Sequence, residues 1–137
     1  MPMKADLWFP TVIWNDHLKD VNNSDLKEYV EKLAQEDKEG KVASNYGGWQ
    51  SKSFEILDQK PLAIERFMHS LQRCINECTK MAGMPDLIIS DYWWNINYHK
   101  DYNQPHNHRD SMLSGVYYID VPEDSDSKIH FDREDEA

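Results

Sequence analysis

Apolar residues recur along this chain in two rhythms, and the change of rhythm divides it. From Leu62 to Ala82 they fall at Ile64, Phe67, Leu71, Cys74, Ile75, Cys78 and Met81. Intervals of three and four put them on one face of a helix. Pro61 suits the first turn, where a missing N–H costs little, and Gly83 suits the left-handed residue that ends a helix. A shorter stripe, Leu26, Tyr29, Val30 and Leu33, predicts a helix that runs to about Glu36 with Ser24 as its cap. Elsewhere β-branched and aromatic residues gather in short runs, which predicts strands. Leu7 to Trp14 is the first, put at an edge or broken by Pro10. Leu87 to Tyr98 follows the second helix. Met112 to Val121 reads as a buried strand, and Lys128 to Asp132 as a last short one. Lys38 to Gly48 reads as a loop punctuated by Gly40, Gly47 and Gly48. Pro122 to Ser127 reads as an acidic turn, and Arg133 to Ala137 as a frayed charged tail. The order is strand, helix, helix, then consecutive strands. That order predicts an α+β domain with its helices on one face of an antiparallel sheet.

Composition narrows the function classes. The chain has 137 residues, enough for one domain with a core, and is 39% apolar and 29% charged. No run of eighteen or more apolar residues predicts a membrane span. The first residues lack the basic-then-apolar order of a secretory signal. The two cysteines, Cys74 and Cys78, stand four apart on the predicted helix, which describes core thiols rather than a disulfide framework. A cytoplasmic location is the expectation. The net charge of −10 argues against nucleic acid or an anionic membrane as partner.

The candidate chemistry lies between Tyr98 and Tyr118. His106, His108 and Asp110 occupy alternate positions. In an extended chain, residues two apart share a face, so His106 with His108, or His108 with Asp110, would aim at one point. Pro105 marks a strand end or an edge. Two imidazoles with a carboxylate suit non-haem Fe(II), and Zn(II) accepts the same donors. The bland alternative is three solvated loop residues. His17, His69 and His99 have no partner in the pattern and read as surface groups.

A wider resemblance includes these residues. The run Gln104-Pro-His-Asn-His-Arg-Asp-Ser-Met-Leu-Ser-Gly-Val-Tyr-Tyr-Ile119, with Pro122 and Ile129-His-Phe-Asp132, resembles the 2-oxoglutarate/Fe(II)-dependent oxygenase superfamily. Within it, the chain is most similar to an oxygenase family of bacteria and phages related to the prolyl-hydroxylase-like branch. Leu7-Trp-Phe-Pro-Thr11 and Gly48-Trp-Gln-Ser51 resemble that family's N-terminal half. The resemblance implies one domain over residues 1–137, a double-stranded β-helix (a cupin-like jelly roll) with supporting N-terminal helices. It implies Fe(II) as cofactor and 2-oxoglutarate as co-substrate, with oxidative decarboxylation coupled to hydroxylation of a small molecule or peptide. Carried over by position, the first ligands fall on His106 and His108, with Asp110 kept as the alternative carboxylate. Tyr118 falls where related enzymes hold 2-oxoglutarate with a tyrosine hydroxyl, and Tyr98 and Asn95 are further candidates for that pocket. The superfamily's distal histidine and basic carboxylate anchor find no counterpart, since His130 and Arg133 come too early. The expectation is therefore a jelly roll lacking its last strands, completed by a second copy or another partner. The competing expectations are a non-catalytic module on the same scaffold, and a cupin-like metal protein that uses no 2-oxoglutarate.

Overall fold

The computed structural model describes residues 2–125 and 127–133. They form two compact units, each built from separated segments. One unit joins Asn22–Glu55 to the chain from Asp91 onward, and the other joins the chain up to Val21 to Ile56–Ser90.

The first unit opens with α1, Asn23–Glu36. Its cap is Asn22 and not Ser24. The Asn22 backbone is extended, and its Oδ1 accepts the Asp25 N–H at 3.1 Å. Asn is as good a cap as Ser, so local sequence could not rank the two. Leu26 and Val30 are buried, and Tyr29 and Leu33 are half-buried on the same face, as the spacing predicts.

Beyond α1 the chain builds an antiparallel ribbon of three short ladders. β1 (Asn45–Tyr46), β2 (Trp49–Gln50) and β3 (Phe54–Glu55) run against β4 (Asp91–Tyr92), β5 (Asn95–Ile96) and β6 (Tyr102–Asn103). The pairs are β1 with β6, β2 with β5 and β3 with β4. In register, Asn45 faces Asn103, Trp49 faces Ile96 and Phe54 faces Tyr92. Unequal lengths of chain between the ladders break the ribbon, as bulges do. One break is bridged by a backbone bond and a side-chain bond. Ser51 N–H donates to Trp94 O, and Trp94 N–H donates to Ser51 Oγ, each at 2.9 Å. Trp49 and Trp94 are both buried. Trp94 packs edge-on against Tyr29 at 6.0 Å and Tyr92 at 5.8 Å between ring centroids, a favourable arrangement for aromatic quadrupoles.

Several expected strands take another form. Leu87 to Tyr98 contains β4 and β5, separated at Trp93 and Trp94, and the Lys38 to Gly48 loop contains β1. Met112 to Val121 forms no ladder among the described residues and is not buried; Val116 is 63% exposed. Polar contacts hold it instead. Tyr117 Oη donates to Asn23 Oδ1 at 2.6 Å, and Lys27 Nζ meets Asp120 Oδ2 at 2.7 Å. Lys128 to Asp132 and Leu7 to Trp14 likewise form no ladder among the described residues. The physical reason is shared: an extended segment becomes a strand only when another segment completes its hydrogen bonds.

The second unit is built on α2, Leu62–Ala82. Pro61 precedes it as expected. Gly83 ends it at φ 64°, and the Gly83 and Met84 N–H groups donate back to carbonyls of the last turn, Met84 to Thr79 O at 2.9 Å. Ile64, Phe67 and Met68 are buried, whereas Cys74 and Cys78 are half-buried and Met81 is exposed. Gln72 fixes the chain after the helix through Nε2 to Leu87 O at 2.8 Å and Oε1 from Ile89 N–H at 3.2 Å. Burial raises the Cys74 thiol pKa, and the neighbouring Cys78 adds to the shift. Less thiolate is then present at neutral pH, so Cys74 should alkylate more slowly than an unperturbed thiol. Site-resolved mass spectrometry of iodoacetamide labelling at pH 8 measures this. A rate equal to that of a free cysteine peptide would contradict it.

The fold class is therefore α+β with antiparallel pairing, as expected. Among the described residues the ladders are two-stranded and no barrel closes. No described helix is long and apolar enough to cross a membrane.

Candidate functional site

The site begins where β6 ends. Gln104 N–H donates to Ser44 O at 2.7 Å, which extends the β1–β6 pairing by one bond. Pro105 then removes the next donor, and the chain leaves the ribbon. His106 turns back on its own backbone, with Nδ1 2.6 Å from Gln104 O. A carbonyl only accepts, so this contact requires the proton on Nδ1. The neutral imidazole then presents a bare lone pair at Nε2. Such a backbone contact fixes the tautomer of metal-binding histidines.

That lone pair points at His108. The two Nε2 atoms are 3.2 Å apart and the rings are nearly perpendicular. His108 is half-buried beside Trp93, whose ring centroid lies 5.5 Å away. Two imidazole nitrogens about 2.1 Å from a shared cation would stand roughly 3.0 Å apart at a right angle and roughly 3.4 Å apart at the tetrahedral angle. The observed spacing lies between these, so the distance suits a shared cation once the proton that His108 Nε2 donates to His106 Nε2 is lost. The alternation of His106 and His108 does bring them together, although residues 106–108 lie in no ladder.

Asp110 sits in the turn closed by Ser111 N–H to His108 O at 3.1 Å. Among the described residues no third His, Cys, Asp or Glu completes a three-donor group. His130 therefore does not join the pair.

Beside the histidines lies an open cleft of about 430 Å³, lined by Lys41, Ser44, Gln50, Trp93, His106 and His108 among others. Lys41 is held there through its backbone, since its N–H donates to Gln50 O at 2.8 Å. Its ammonium has no partner among the described residues. A cation that shares a mixed polar and apolar cleft with two imidazoles can receive an anionic ligand. Sequence reading missed Lys41, which stands in the predicted loop with no spacing or motif to mark it. Asn95 is paired with Gln50 in the β2–β5 ladder. Tyr98 is exposed, with its N–H bonded to Asp101 Oδ2 at 2.9 Å, and Tyr118 is half exposed. None of these three is among the residues lining the cleft.

No curated protein and no solved structure matches the chain. The family model described as "Putative 2OG-Fe(II) oxygenase" matches residues 91–137, the C-terminal third. The matched stretch includes Trp93, His106 and His108, which line one side of the cleft. Over this stretch the chain is similar to that oxygenase family.

Proposed function

We propose that the chain binds Fe(II) through His106 and His108, binds 2-oxoglutarate in the adjoining cleft, and hydroxylates a small molecule or peptide. The observation that carries this reading is the pair of facing Nε2 atoms, 3.2 Å apart, within the matched stretch. Fe(II) with 2-oxoglutarate supplies oxidative decarboxylation coupled to hydroxylation. The protein's own residues do the positioning. Gln104 O keeps the proton on His106 Nδ1 and so keeps Nε2 available. Trp93 shields one side of the His108 ring from water. Lys41 pairs with a carboxylate of 2-oxoglutarate, a role the superfamily gives to a residue late in its fold. Asp110 is the candidate carboxylate ligand, and Tyr118, Tyr98 and Asn95, which lie outside the cleft lining, are candidates for the part of the co-substrate that extends beyond it. The family's double-stranded β-helix is the architecture this reading implies, and the antiparallel ribbon is compatible with it. The exposed Val116 and Phe131 side chains support a second copy or another partner that completes the sheet. A non-catalytic binding module is the second reading, favoured by the absence of a three-donor group among the described residues.

Anaerobic titration with Fe(II), then 2-oxoglutarate, separates the two readings. The oxygenase reading expects the visible charge-transfer band of chelated 2-oxoglutarate, and its absence at saturating Fe(II) favours the binding module. Lys41→Gln should weaken 2-oxoglutarate by about 3- to 10-fold without changing Fe(II) affinity, a modest effect because the ammonium is exposed. Tyr118→Phe should also weaken 2-oxoglutarate alone. Unchanged co-substrate affinity in either variant removes that residue from the site.

A further inference from the structure

We propose that the face of α2 carrying Arg66, His69 and Arg73 binds a small phosphate monoester that also carries an amino or hydroxyl group. This site lies within the unit that joins the chain up to Val21 to Ile56–Ser90 and does not depend on the oxygenase reading.

The spacing makes the face. Positions 66, 69 and 73 are three and four apart, so their side chains stack along one side of the helix. With Asp20 they line an open cleft of about 420 Å³, within the size range of small-molecule sites. The chain as a whole carries 25 Asp and Glu against 15 Lys and Arg. Two arginines and a histidine along one helix face, with Asp20 as the carboxylate that shares their cleft, depart from that average. Neither Arg66 nor His69 has a side-chain partner among the described residues. Arg73 has one weak bond, from Nη2 to Ser70 Oγ at 3.4 Å. Ser70 is buried, and its hydroxyl donates to Lys19 O at 2.9 Å. That bond holds the chain next to Asp20 against the helix. Asp20 adopts a left-handed backbone, φ 58°, which Asp tolerates better than most residues. The Lys19–Asp20 wall is therefore tied to the helix through Ser70.

The chemistry selects the ligand. The Arg66 and Arg73 guanidiniums, two turns apart on the same face, repel one another until an anion bridges them. Two planar guanidinium groups match the several oxygens of a phosphate better than a point charge would. The imidazole of His69 adds a further donor between them. The Asp20 carboxylate disfavours a bare polyanion and instead accepts a proton donor on the same ligand. A nucleic-acid partner is opposed by the net charge of −10.

The test titrates the intact chain with inorganic phosphate and with phosphoethanolamine at fixed ionic strength, followed by NMR of the His69 ring and the Arg Nε–H groups. The expected result is a saturable shift at His69, Arg66 and Arg73, with phosphoethanolamine tighter than inorganic phosphate. Arg66→Gln and Arg73→Gln should each weaken phosphoethanolamine by about fivefold or more. Asp20→Asn, which keeps the left-handed backbone accessible, should abolish the preference between the two probes. Non-saturating shifts, or binding unchanged in the Arg66→Gln/Arg73→Gln double variant with its circular dichroism intact, would overturn the site. Equal affinity for the two probes would overturn the ligand class.

Discussion

His106→Ala should abolish stoichiometric Fe(II) binding and leave the thermal transition within about 2 °C of the parent. The side chain is exposed, so its removal opens no cavity. Its ring nitrogens contact Gln104 O and His108. Gln104 is anchored independently through its own N–H on Ser44 O, so the backbone should keep its course. The loss for metal binding is large because one of only two facing donors disappears. A lone exposed imidazole cannot hold a divalent ion against water. Metal analysis after gel filtration, with circular dichroism as the folding control, measures both halves of the prediction. Retention of one iron per chain would refute the ligand assignment. His108→Ala should also lose the metal, but it gives a less clean result because His108 packs beside Trp93.

Gly40→Ala should destabilise the chain by about 2–4 kcal/mol, from the left-handed backbone and from overpacking together. Gly40 has φ 59°. A β-carbon there would overlap the Gln50 carbonyl oxygen and lie 2.8 Å from Trp49 Nε1. Neither neighbour can move cheaply. Gln50 is in the β2–β5 ladder, and Trp49 is buried with its Nε1–H donated to Asp37 O at 2.7 Å. The melting temperature should fall by roughly 10 °C. Gly83→Ala is the matched control. It shares the positive φ but has open space around the new carbon, so it should cost only about 1 kcal/mol. Equal losses in the two variants would show that close packing at Gly40 is not the cause. Because Gly40 precedes Lys41, the Gly40 variant should also lose affinity for any anion held in the cleft.

What could be read in advance differs by element. The His106–His108 juxtaposition was legible because two residues flanking one position share a side in any extended chain, whether or not a ladder forms. The Asn22 cap was not, because neighbouring polar residues compete on nearly equal terms and the choice depends on where the preceding chain enters the helix. The buried strand expected at Met112 to Val121 failed for another reason. Its apolar and aromatic content describes what a strand would look like if paired, and says nothing about whether a partner is present.

The sequence by itself determined α2 from Pro61 to Gly83, the stripe on α1, and the closeness of His106 to His108. These depend on contacts within a few residues, since a helix closes its hydrogen bonds four residues apart. Only the tertiary structure decided that segment 45–55 pairs with 91–103, and that Lys41 and Gln50 share a cleft with Trp93 and His106. Those partners are far apart along the chain. Their meeting depends on which surfaces bury Trp49 and Trp94 together, and a local pattern of apolar and polar positions does not specify that partner.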